Sequence, residues 1–179
     1  MSILLIWLSP TVYAYACPHC IDWNAKIGSR LQQIWYSGNT DILFSGYAWH
    51  NRYKYTAYML AKGHYNELAL GGGFAKELWD EDHDFHALYS MAFLDSHKNV
   101  EPVIGYAFLK MLNITEKVNI GGGFSILATM RPDIFGGYPF PGAVPLFGIA
   151  SGPVALFAAY VPGRENIGNV LFIFGKYTL

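Results

Sequence analysis

The chain has 179 residues, enough for one domain. Only 14% of them are charged, against roughly 25% in soluble domains, while 17% are aromatic. So little charge scarcely covers a soluble surface, and a net charge of -1 supplies no basic field for phosphate backbones, which argues against nucleic acid as a partner and for apolar ones.

The N-terminal segment, residues 1–16, carries the apolar run Ile3-Leu4-Leu5-Ile6-Trp7-Leu8 and the small-residue ending Ala14-Tyr15-Ala16, without a basic start. It reads as a secretory signal or its remnant, with a short buried strand as the alternative. Residues 17–179 then form a single barrel domain. Cys17-Pro18-His19-Cys20 has the spacing of a thiol-disulfide motif, but no strand–helix context follows it. A local disulfide and two incidental thiols remain as readings.

Residues 21–36 place Trp23, Ile27, Leu31 and Ile34 at helical spacing, with Lys26 and Arg30 elsewhere on the wheel. This predicts one amphipathic helix, suited to a membrane surface or to packing on a core. From residue 42 to 179 the pattern changes to eight aromatic and β-branched runs, at 42–56, 65–79, 84–94, 102–112, 117–130, 142–150, 153–161 and 168–178. Short links alternate with longer polar or Pro/Gly-rich ones. That alternation, with runs close to the roughly 9 to 11 residues of a tilted spanning strand, predicts an all-β membrane protein: an eight-stranded antiparallel up-and-down transmembrane β-barrel with an N-terminal amphipathic α-helix. The charge-free stretch 142–161 has the length of a membrane-spanning helix. Pro145, Gly148, Ser151, Gly152 and Pro153 within it predict a hairpin instead.

Several of the runs are apolar on both faces, among them 143–150, 153–161 and 170–174, so the lumen should be partly greasy. Lys110, Lys117 and Lys176 are expected to return polarity to it at the short-turn end. Gly72, Gly105, Gly122, Ala107 and Ala155 are expected to leave room for a slim ligand, with a plugged structural barrel as the alternative.

Further along, Trp49-His50-x-Arg52, Tyr65-Asn66-Glu67, Gly71-Gly72-Gly73-Phe74, Trp79-Asp80-Glu81, His86-x-Leu88-Tyr89-x-Met91-Ala92-Phe93-x-Asp95-Ser96, Glu101-Pro102-x-x-Gly105-Tyr106, Pro145-Leu146, Gly152-Pro153-Val154, Tyr160-Val161-Pro162-Gly163 and Gly168-Asn169-Val170 follow one another. In order and near spacing this series resembles the outer-membrane lipid A palmitoyltransferases, the PagP family. The resemblance implies an outer-membrane enzyme of a Gram-negative bacterium that moves an acyl chain, palmitoyl or slightly shorter, from a glycerophospholipid donor to lipid A of lipopolysaccharide. A modified barrier and resistance to antimicrobial peptides are the implied role, the protein acting as a monomer or homodimer.

The resemblance also carries residues. It places the catalytic group on His50, Asp95 and Ser96, and the acyl-chain ruler on Ala107, where the family's context has glycine. The phospholipid gate falls on Pro145, Pro162 and Glu165, lipid A recognition on Lys62, and supporting polar roles on Asp80, His86 and Arg131. Ser45 and Ala69 stand where the family has prolines on the lipid A side. Acyl transfer needs a base for the attacking hydroxyl and donors for the oxyanion; imidazole suits the first and Ser96 either the second or nucleophilic attack. Asp95 would orient His50 or a donor. No metal-ligand spacing relates the histidines to the cysteines, and no metal or cofactor is expected. The alternatives are a non-enzymatic outer-membrane barrel, adhesin or structural, and a soluble lipid-binding barrel.

Overall fold

The computed structural model of the protein describes residues 18–56, 58, 66–163 and 168–179. The signal-like segment, Cys17, Lys62 and Glu165 lie outside them. Helix α1 spans Pro18–Ser37, three residues earlier at its start than hydrophobic periodicity alone indicates. Eight strands follow: β1 (Asn39–His50), β2 (Gly71–Trp79), β3 (Phe85–Leu94), β4 (Val100–Thr115), β5 (Val118–Thr129), β6 (Phe140–Ser151), β7 (Val154–Val161) and β8 (Val170–Thr178). Each pairs with its sequence neighbour, and β1 pairs with β8, closing the barrel. Residues 142–161 form the β6–β7 hairpin around Gly152, whose φ of +57° makes the two-residue turn feasible.

The strand register places both ends of the barrel sheet together with the short turns. Asn39 pairs with Glu77 beside the β2–β3 turn, and Asp41 pairs with Thr178. The described parts of the longer links, 51–56, 66–70, 95–99, 130–139, 162–163 and 168–169, gather at the other mouth. β1 and β2 fall furthest short of their apolar runs at the long-loop mouth. β1 stops at His50 rather than 56, and β2 starts at Gly71 rather than 65, because the intervening chain turns back on itself through the Asn51–Lys54 and Glu67–Ala69 backbone bonds.

Period-two alternation assigns the faces. Phe44, Phe74, Ile104, Phe124, Ile126 and Phe147 point outward and are exposed, whereas Leu43, Ala75, Val103, Leu109, Leu146 and Phe157 are buried inside. An apolar exterior over an apolar lumen suits a barrel surrounded by lipid. Two expectations about the bore need correction. Gly72 and Gly122 occupy outward positions, since their neighbours Gly73 and Gly123 share the inward rows of Ala75 and Ser125, so only Gly105, Ala107 and Ala155 of the expected set face the lumen. Likewise Lys110 lies outside and largely exposed beside Asp84, and Lys117 sits in the β4–β5 turn. Of the three lysines only Lys176 enters the barrel.

Lys176 closes the lumen at the short-turn end. Its ammonium is 2% exposed and pairs with Glu77 and, at 3.3 Å, with Asp41; Thr178 donates to Asp41 at 2.8 Å. One buried cation between two buried carboxylates is costly to expose and costlier to leave incomplete. We expect Lys176→Met to destabilise the barrel by about 3 to 5 kcal/mol, because both carboxylates then lose their counter-charge. Urea unfolding in detergent micelles checks this, and Glu77→Gln, which leaves Lys176 paired with Asp41, should cost less.

Candidate active site

β1 ends at His50, whose ring is 2% exposed at the inner edge of the long-loop mouth. Its Nε2 lies 3.0 Å from the Ser96 hydroxyl, in the turn directly after β3. Edge-on packing of the Tyr55 ring, 5.5 Å away between centroids, fixes the imidazole plane, and Tyr55 is itself tied through its hydroxyl to the Gly168 carbonyl. Loops from three corners of the barrel thus converge on one imidazole. A cavity of about 720 Å³ descends from this pair through Met91, Ala107 and Phe157 to the Lys176 cluster. Its wall is mostly apolar side chain, and the Phe93–Phe172 and Phe157–Phe174 stacks line part of it.

Asp95 is adjacent to Ser96 but faces elsewhere. One carboxylate oxygen accepts the amides of His97 and Asn99 at 2.8 and 2.7 Å; the other lies 3.8 Å from Arg131. These bonds, together with the Asp95–Asn99 and Lys98–Asp95 backbone bonds, build the tight turn that presents Ser96, in which Lys98 takes a φ of +64°. Asp95 therefore shapes the turn rather than completing a linear relay. Arg131 gathers Asp95, Glu101 and Asp133 around one guanidinium at the same mouth. Burial opposes its charge, and the Asp133 hydrogen bond with the surrounding carboxylates outweighs burial, so its pKa rises; Asp133 falls in turn through its bond from Arg131.

Asp80 and His86 come together at the opposite, short-turn end and outside the lumen. His86 bonds Asp80 at 2.9 Å through Nε2 and the Tyr106 hydroxyl at 2.7 Å through Nδ1. Arg30 of α1 reaches Asp80 and Glu81 from above. This group docks the helix on the barrel and stands apart from the His50–Ser96 pair. Burial pushes the Asp80 carboxyl up, but hydrogen bonds from His86 and from the Asp84 and Asp82 amides hold it below the usual range.

The two prolines bracket a break in the sheet. β6 starts at Phe140, yet its ladder with β7 covers only Leu146–Ser151 against Val154–Ala159. Pro145 is the first residue above that ladder, and Pro162 follows the end of β7. On the other side the β1–β2 ladder stops at Ser45 and Gly71. There the gap is bridged: Ser45 Oγ donates to the Ala69 carbonyl at 2.7 Å, and the Ala48 amide donates to the Glu67 carbonyl at 2.9 Å.

Glu67 belongs to none of the roles assigned from sequence, although it lies in a quoted fragment. Its carboxylate receives Arg52 at 2.6 Å, the Tyr47 hydroxyl at 3.1 Å and the His50 backbone amide at 3.3 Å, and stands 3.6 Å from His50 Nδ1. It reaches His50 only because the loop after β1 folds back, a contact that local periodicity does not signal.

The fold is that of a closed eight-stranded membrane-type β-barrel, and the His50–Ser96 pair stands at the mouth of its mostly apolar lumen. Residues 30–176 match the family described as antimicrobial peptide resistance and lipid A acylation protein PagP, and the chain belongs to that family. It is 49% identical over 162 residues to the lipid A acyltransferase PagP of Legionella longbeachae serogroup 1 (strain NSW150), covering 90% of this chain and 70% of that protein. Against the protein of the same description from Bordetella pertussis (strain Tohama I) it is 40% identical over 176 residues, covering 98% and 96%. The corresponding Legionella pneumophila protein is 43% identical over 163 residues, at 91% and 86% coverage.

Two predictions follow from the geometry. Asp95→Asn keeps an oxygen for the two turn amides and should retain activity within about tenfold, whereas Asp95→Ala should fall by about 100-fold or more, as loss of a positioned donor does; steady-state transfer rates decide. Because the Asp80 carboxyl is depressed in the folded protein, its contribution to docking α1 is complete above its unfolded pKa of about 3.9 and fades as pH falls through the lower folded value. Hydrogen exchange in α1 should rise on that acid side only, and Asp80→Asn should weaken the dependence, leaving the part that the Arg30–Glu81 pair contributes.

Proposed function

We propose that this protein is an outer-membrane enzyme that transfers an acyl chain from a glycerophospholipid to a hydroxyl of lipid A. The observation that carries the reading is the His50–Ser96 pair at the head of a closed apolar cavity, within a chain of the lipid A acylation family. A non-enzymatic barrel gives no reason for a polar pair over a greasy lumen. The phospholipid enters laterally between β6 and β7, where Pro145 and Pro162 leave the ladder open, and the family resemblance assigns Glu165 to the same gate. Its acyl chain descends into the lumen and its ester carbonyl comes to rest beside His50 and Ser96. Lipid A binds from the lipopolysaccharide side of the mouth, with Lys62 of the first outer loop contributing to recognition and Arg131 offering a cation near the site.

His50 Nε2 then accepts the proton of the lipid A hydroxyl as its oxygen adds to the ester carbonyl. Ser96, displaced from that nitrogen, turns its O–H toward the developing oxyanion. Collapse breaks the ester C–O bond; the lysophospholipid oxygen leaves and takes the proton from His50. The apolar lumen keeps water from competing with the acceptor. Asp95 holds the Ser96 turn, while Asp80 and His86 anchor the helix at the far end.

Chain length is set at the row of the lumen that holds Ala107. Ala107 pairs with Ala87 and Ser125, so three small residues form one inward row, which Val144 continues on β6. A methyl group there, in place of the glycine of the related family context, removes space for about one methylene, since packed interiors have no slack. The preferred chain should therefore be shorter than palmitoyl, and Ala107→Gly should lengthen it by about one methylene. Competing phospholipid donors of graded chain length, read by mass spectrometry of the lipid A product, test this; identical preferences in both proteins would refute it. For the reaction itself, purified protein is mixed with labelled phospholipid and lipid A in detergent. Wild type should transfer label, and His50→Ala should transfer at least about 100-fold more slowly. No transfer by folded wild type would overturn the reading. An acyl group accumulating on Ser96 would overturn the direct-transfer step.

A further inference from the structure

We propose that Glu67 is the residue that positions His50 for catalysis, filling the place that the neighbouring Asp95 does not. The inference rests on the acyltransferase reading and adds a residue to it.

An imidazole that takes a proton at one nitrogen needs the other nitrogen to carry hydrogen, and a carboxylate facing that second nitrogen secures this tautomer. At His50 the two nitrogens face different groups: Nε2 meets the Ser96 hydroxyl at 3.0 Å on the cavity side, and Nδ1 meets Glu67 Oε1 at 3.6 Å behind it. Ser96, His50 and Glu67 thus stand in line, as nucleophilic and general-base sites require. The 3.6 Å separation is an ion-pair distance rather than a hydrogen bond, and the attraction grows when His50 gains its proton.

The carboxylate is held on several sides. Glu67 is anchored by Arg52 at 2.6 Å and by the Tyr47 hydroxyl at 3.1 Å, and it also accepts the backbone amide of His50 itself at 3.3 Å. Its own carbonyl accepts the Ala48 amide, so the loop strand carrying it is stitched to β1 two residues before the base. Its side chain is only 20% exposed, so its charge acts on His50 with limited screening by water. Asp95 instead has both oxygens committed to the Ser96 turn and to Arg131. The acidic partner of the base therefore comes from the first outer loop and the hydroxyl from the second. The tie of the Asn66 amide to the Ser96 carbonyl at 2.9 Å holds those two loops together.

The test compares full-length wild type with Glu67→Gln in detergent, by transfer kinetics and by ¹⁵N spectra of the histidine rings, His50 being assigned from its loss in His50→Asn. In the variant the amide oxygen keeps the place of Oε1 beside Arg52 and facing Nδ1, so the contact survives in neutral form while the charge that favours the imidazolium is lost. We expect kcat to fall by about 10- to 100-fold with KM for phospholipid changed less than about threefold, and the His50 ring signals to titrate at lower pH than in wild type, since a carboxylate facing the ring favours its charged form. Unchanged kcat, or a fall in kcat with unaltered titration of the His50 ring, would overturn the role. Should the variant not fold, the wild-type spectrum decides: neutral His50 carrying hydrogen on Nε2 contradicts the inference and hydrogen on Nδ1 supports it. Absence of transfer by wild type would instead refute the enzyme reading on which the role rests.

Discussion

In a bilayer no water is present to satisfy backbone N–H and C=O groups, so a spanning sheet must close on itself, and any opening in its ladder has to be bought locally. The rest of this structure depends on that constraint. Eight strands close with β1 against β8, and the ladder is interrupted at two places near one mouth. Between β6 and β7 the break is flanked by prolines, which lack an amide to satisfy. Between β1 and β2 a serine hydroxyl and the loop strand bridge it. The two sides of the barrel therefore offer lipids unequal access.

Closure also explains the division of polarity inside the lumen. Eight strands enclose only a slim bore, so inward positions must be small where a chain passes and tightly satisfied where it does not. The Ala87–Ala107–Ser125 row leaves space, and the Lys176–Glu77–Asp41 group fills the end beneath it with paired charge. A greasy shaft with a sealed base and a polar head suits a long apolar chain attached to a reactive ester. The same rigid strands fix where β1 ends, and hence where His50 meets the loop carrying Ser96.

Much of the architecture was legible in the residues. Turn chemistry at Ser151-Gly152-Pro153 overrode a charge-free stretch of helical length, and alternating link lengths marked the two ends of the barrel. Periodicity was less informative within doubly apolar strands, because when both faces are greasy a one-residue choice of register is invisible. Gly72, Gly122 and Lys110 were assigned to the lumen for that reason and lie outside it. At the site, His50 and Ser96 are far apart in sequence and meet as the motif pattern implies, while Asp95 turns to its own loop backbone and Glu67 arrives through a fold-back of the first outer loop. Such loop contacts follow from closure of the whole barrel and leave no local pattern.

The central claim is that a phospholipid acyl chain occupies the lumen with its ester at the His50–Ser96 pair. It is tested most directly by the structure of this protein bound to an ether analogue of a phospholipid, which cannot be cleaved. The chain should thread between β6 and β7 and run down the bore to Ala107, with the ether oxygen beside His50 and Ser96. A chain lying along the outer wall, with the lumen occupied by protein side chains alone, would contradict it.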